Sequence, residues 1–170
     1  QTKQVKENQL AHLKAQMKSI YQTDPYTIFM SKLVLTLQNN TRIAAEGLQH
    51  DGLFPSYHYQ GFHGFWAWDS WKHAAAIAHY DAQLAKNQIR ALFDFQEPNG
   101  FIPDCIFRDT SIETNNYRNT KAPLAAWAVW EIYQQTKDLA FITEMYPKLQ
   151  KYHAWWYNER DNDQDGICEF

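Results

Sequence analysis

The chain has 170 residues, a formal net charge of −3 at pH 7 and a pI near 6.2. That length supports one domain with a real core, and a weakly acidic balance without a basic patch excludes the electrostatic footprint of a nucleic-acid binder. No apolar run approaches the roughly 18 residues of a membrane span, and the opening "QTKQVKENQLAHLKAQ" lacks the apolar stretch of a signal peptide. The expectation is therefore neither a nucleic-acid nor a membrane partner, and the compartment stays open.

Residues 2 to 22 predict a helix, because Val5, Leu10, Leu13, Met17 and Ile20 recur near helical spacing among Lys, Gln and Glu. "TDP" at 23 to 25 breaks it, and Thr23 or Asp24 can cap a second helix with Pro25 at its first position. That helix is expected to run to about Gly47. Its "KLVLTL" core also alternates with period two, which is the pattern of a strand. Residues 47 to 64, "GLQHDGLFPSYHYQGFHG", read as a long loop, and long loops in compact domains are often functional.

A third helix starts at Ser70, "SWKHAAAIAHY", and a fourth covers 81 to 96, with Leu84, Ile89, Leu92, Phe93 and Phe95 on its apolar side. "EPNG" ends it. A second long loop fills 97 to 120, and a helix returns at "APLAAWAVWEIYQQT" with Pro123 in its first turn. Residues 138 to 161 predict one short and one longer helix. No convincing strand interrupts the series. Pattern alone favours an ordinary helical bundle over the alternative, a toroid whose inner helices begin at ligand-facing loops. Cys105 and Cys168 permit one disulfide without arguing for it.

The unusual feature is aromatic content: Trp 7, Tyr 10 and Phe 10. Large rings fill cores and also stack on sugar faces. Three constellations bear on the choice. In "FWAWDSW", Asp69 stands among Phe65, Trp66, Trp68 and Trp71 at an expected helix start. It can be an N-cap worth about 1 kcal/mol. The alternative is the floor of a sugar pocket, with a ring packed on the C–H face and a carboxylate accepting from two adjacent hydroxyls; physics alone favours the cap. Trp66, Trp68, Asp69 and Lys72 are the candidate binding residues of this segment. In "YRNTKAPLAAW", Arg118, Asn119 and Lys121 precede a helix whose dipole opposes their charge, a local conflict that hints at function. Asp104 in "GFIPD" is a weaker candidate that could merely cap.

The third constellation is "DNDQDGICE". Asp161, Asp163 and Asp165 occupy positions 1, 3 and 5 of a calcium loop, with Gly166 at the sharp turn and the Ile167 carbonyl at position 7. Glu169 stands at position 9. The alternative is a solvated acidic turn.

Together "HDGLFPS", "WAWDSWKHAAAIAHYD", "GFIPDCI", "RNTKAPLAAWAVWEIY", "EMYPKLQKYHAWW" and "RDNDQDGICEF" resemble glycoside hydrolase family 63, in its bacterial α-glucosidase type, and more distantly the trehalases. The resemblance implies an all-α fold, the N-terminal part of an (α/α)6 barrel, and inverting hydrolysis of α-glucosidic bonds in oligosaccharides or small glucosides. It implies that Asp69 and Trp66 lie in the glycone subsite, with Arg118, Asn119 and Lys121 near the same pocket. It further implies that Asp161, Asp163, Asp165, Ile167 and Glu169 hold a structural Ca2+, a Glu from much later in the chain taking part. The family's acid Asp and base Glu lie downstream of the acidic loop, so no catalytic residue is expected within 1–170. The chain is then the first half of one catalytic domain, with 1–24 a lead-in helix and the remainder of that domain its partner, and is expected to be inactive alone. The competing reading is a non-catalytic carbohydrate- or calcium-binding helical module.

Overall fold

The computed structural model describes residues 3–16, 24–45, 47–111, 113–117 and 122–169. Six helices dominate: α1 Lys3–Gln16, α2 Asp24–Asn40, α3 Ala67–Ile77, α4 Ala82–Phe93, α5 Ala125–Thr136 and α6 Leu139–Glu159. Four short strands accompany them, where the sequence predicted none: β1 Thr41–Arg42, β2 Gly52–Leu53, β3 Gly64–Trp66 and β4 Cys105–Phe107. They form two antiparallel pairs. Thr41 faces Leu53 and Arg42 faces Gly52; Gly64 faces Phe107, Phe65 faces Ile106 and Trp66 faces Cys105.

α2 is helical through "KLVLTL", so the period-two pattern there misleads. It stops at Asn40 rather than near Gly47, because the next two residues leave the helix to pair with β2. Thr23 lies outside the described residues, as do Met17 and Ile20 of the expected first helix.

The core lies among α3, α4, α5 and α6. Trp71 and Ile77 of α3, Ile89 and Leu92 of α4, Ile132 of α5, and Phe141 and Met145 of α6 are each 2% exposed or less. Each such side chain contributes roughly 1.5–3 kcal/mol on removal from water. Alanines at 74, 85, 125 and 128 are equally buried and let the helices approach closely. Asp81 caps α4 by accepting from the Leu84 amide, and Asp138 caps α6 by accepting from that of Phe141. α4 is also tied to α6 by charge. Arg90 donates to both Glu144 carboxylate oxygens at 2.8 and 2.6 Å, and Lys86 reaches Asp138 at 2.6 Å.

α4 ends at Phe93, short of the expected residue 96, and the chain turns through Glu97–Gly100 against α6. α5 begins at Ala125, so Pro123 precedes it instead of opening it. α6 is one continuous helix through Pro147, where two helices were expected. Burial on both sides of the proline, Phe141 and Met145 before it and Tyr152, Trp155 and Trp156 after it, outweighs the lost backbone hydrogen bond. Cys105 and Cys168 are both free thiols.

Candidate glycone site and acidic loop

β3 runs directly into α3. Trp66 ends the strand and stands at the N-cap of the helix in extended conformation, with no side-chain cap. Its place as cap is taken from across the ribbon, where the Ala67 amide donates to the Asp104 carbonyl at 2.8 Å. The helix therefore starts three residues before Ser70, and Asp69 is its third residue, not its cap. Half-buried there, the Asp69 carboxylate has no hydrogen bond or ion pair to any described residue.

The aromatic cluster divides by role. Trp71 is fully buried core. Trp66 packs edge-on against Phe62 and Phe107, with ring centroids 5.9 and 6.4 Å away, and its indole N–H is buried without a partner. These rings, with Tyr59, Asn115 and Tyr117, line a cleft of about 510 Å³. Trp68 is 40% exposed on another side of α3, with the Lys72 ammonium 3.8 Å above its ring. Cation–π pairing thus gives Lys72 and Trp68 an account that needs no ligand.

Asp104 is 2% exposed, immediately before β4. Its amide donates to the Asn116 carbonyl at 3.0 Å, and the Asn116 side chain approaches its carboxylate at 3.5 Å. No helix begins at Asp104, so its side chain is not a cap. Cys105 follows, facing Trp66 across the ribbon. Burial, then the charges of Asp104, Asp69 and Glu113, push its thiol far above the usual range, which keeps it neutral and poorly nucleophilic. His73 went unnoticed in the sequence, although it follows Asp69 by one helical turn. Burial holds its imidazole below the ordinary value while Asp69 pulls the other way, and its Nδ1 is buried without a partner. The i, i+4 spacing was the available signal. Arg118, Asn119 and Lys121 lie outside the described residues; Asn116 and Tyr117, which precede them, border the cleft.

The acidic loop follows α6. Asp161, Asp163 and Glu169 each bring a carboxylate oxygen within 4.8 Å of the others. One Asp161 oxygen accepts from the Gly166 amide at 3.1 Å, and the other is buried without a partner. Gly166 at φ +85° makes the turn that returns the chain toward Arg160, whose carbonyl accepts from the Glu169 amide. Glu169 in turn accepts from the Asn162 amide at 2.9 Å. Asp165 does not join the converging trio; it accepts from the Ile167 amide at 2.8 Å. Three convergent carboxylates with an orphaned buried oxygen fit a hard cation.

Residues 62–170 match the family model of the mannosylglycerate hydrolase MGH1-like glycoside hydrolase domain. The chain belongs to this family. Its relatives include the mannosylglycerate hydrolase of Thermus thermophilus, 29% identical over 156 residues (80% of this chain, 35% of that protein), and mannosylglycerate hydrolase MGH2 of Selaginella moellendorffii, 27% identical over 134 residues (68% and 26%). The fold superposes on the crystal structure of a family 63 mannosylglycerate hydrolase from Thermus thermophilus in complex with Tris, with a TM-score of 0.67 and 26% identity over 81% of this chain and 35% of that one. The chain is thus a family 63 glycoside hydrolase domain whose helices form part of a helical barrel. It spans about a third of the length of these Thermus relatives.

Proposed function

We propose that this chain supplies the glycone-binding wall of an inverting glycoside hydrolase that cleaves a small α-glycoside. The observation that carries the reading is the half-buried Asp69 carboxylate, which has no hydrogen bond or ion pair among the described residues and stands three residues after a Trp66 whose ring borders a cleft. A carboxylate free of protein donors can accept two vicinal sugar hydroxyls, and a ring beside it can cover the sugar's C–H face. The resemblance assigns Arg118, Asn119 and Lys121 to the same pocket.

Inversion needs an acid and a base whose carboxyl groups stand about 6.5–9.5 Å apart around a water. Asp69 is given neither part, because the resemblance assigns it to holding the glycone hydroxyls. We assign acid and base to the remainder of the catalytic domain. In that arrangement 1–170 is the first half of one barrel, and 1–24 leads into it. Asp161, Asp163 and Glu169, with Asp165 and the Ile167 carbonyl in support, would hold Ca2+; a bound ion would cross-link the loop to the end of α6.

The α-glucosidase type read from the motifs and the mannosylglycerate named for the relatives share an α-linked hexose and differ in sugar and aglycone. The test is hydrolysis by the full-length protein of a panel comprising mannosylglycerate, glucosylglycerate and α-linked glucobioses, wild type against D69N. A wild-type enzyme that turns over a panel member, with a D69N variant whose kcat/KM on it is about a hundredfold lower, supports the reading. Undiminished turnover by D69N would overturn it.

A further inference from the structure

The inner face of α4 reads Leu84, Ala85, Gln88, Ile89, Leu92. An amide in that apolar row is out of place, and a leucine would serve the core better. Yet Gln88 is 0% exposed. A buried amide is tolerated only when its donors and acceptor find partners, and here they do, on two different elements. The Gln88 carbonyl oxygen accepts from the Leu53 amide at 2.5 Å, and its nitrogen donates to the Leu53 carbonyl at 3.3 Å. The side chain thus pairs with β2 as another strand would. The same nitrogen donates to Ser70 Oγ at 2.8 Å. Ser70 is fully buried on α3, next in sequence to Asp69. Gly52 keeps the approach open: a Cβ there would stand 2.7 Å from the Gln88 oxygen and 2.7 Å from the Phe65 ring.

We propose that Gln88, acting through Ser70, is a positioning residue that sets the rotation of the first turn of α3 and so aims Asp69 at the glycone; this rests on the reading of Asp69 given above. The turn is gripped at two points, Ala67 by the Asp104 carbonyl and Ser70 by Gln88. Asp69 lies between them with no described hydrogen-bond partner of its own, so its direction is inherited from the turn that carries it. Displacements near 1 Å at a binding group suffice to reduce turnover about a hundredfold.

The experiment is steady-state kinetics of the full-length protein, on the best substrate of the panel above, for wild type, S70A, Q88M, D69N and the double variant D69N/S70A. S70A cuts the link to α3, leaves Gln88 on β2 and favours helix, so it tests the idea even where Q88M fails to fold. Positioning predicts that S70A raises KM at least about fivefold, and that the loss in kcat/KM disappears in the D69N background. A purely structural role would lower the active fraction, reducing kcat with KM unchanged and to the same factor in both backgrounds; that result overturns the proposal. Wild-type kinetics for S70A beside a crippled D69N would overturn the positioning role and leave the glycone site standing. A fully active D69N would remove both.

Discussion

The amide of Ala67 donates to the carbonyl of Asp104 across 2.8 Å, joining two segments 37 residues apart at the point where β3 becomes α3. That bond takes over the work a side-chain cap would do. Asp69 is left with no hydrogen bond or ion pair among the described residues, and its interaction with the helix dipole is worth about 0.3–1 kcal/mol.

D69N is accordingly expected to leave the fold nearly unchanged and to weaken glycone recognition severely. In the full-length protein its thermal midpoint should fall by no more than a few degrees while kcat/KM falls about a hundredfold or more. Calorimetry beside initial rates would check both halves. A large loss of stability would mean that Asp69 holds structure instead of ligand.

The acidic loop makes a separate prediction. Ca2+ bound by Asp161, Asp163 and Glu169 should raise the thermal midpoint of the full-length protein, since an ion that binds only the folded state adds about 2.7 kcal/mol at a hundred times its Kd. D161N and D163N should each abolish that rise. A midpoint indifferent to millimolar Ca2+ would identify the loop as a solvated turn.

Acid sensitivity should carry the mark of His73. Burial lowers its folded-state value below the unfolded value of about 6.5. Below that pH the unfolded chain takes up a proton that the folded chain resists. The imidazole's contribution is therefore intact above about pH 6.5 and is lost progressively as pH falls toward the folded value. H73N should flatten the decline in thermal midpoint as pH falls below about 6.5. An unchanged slope would show that His73 charges freely in the folded protein.

Gly100 is expected to tolerate no side chain. At φ +101° it occupies a conformation that favours glycine, and a Cβ would run into the Lys151 backbone of α6. G100A should destabilise by about 2 kcal/mol or more, strain and overlap adding. A urea melt would measure it, and a neutral result would mean that the turn and α6 are not packed as described.

The helices were legible because their information is local. Leu84, Ile89 and Leu92 recur at the period of a structure whose hydrogen bonds span four residues, and they lie on the buried side of α4 as their spacing predicts. The convergence of Asp161, Asp163 and Glu169 has the same local origin, carboxylates spaced within nine residues, although Asp165 turns to the Ile167 amide instead of joining them. The β3–β4 ribbon left no such trace. Its strands are three residues each and almost forty apart, too short for periodicity to register, yet their pairing starts α3 at Ala67 and makes Asp69 the third residue of the helix instead of its cap. Gln88 was hidden in the same way. In sequence it is one polar residue on an apolar face; its meaning comes from Leu53 and Ser70, 35 and 18 residues away. Contacts of that range depend on how whole elements pack, and no short window of residue types records them.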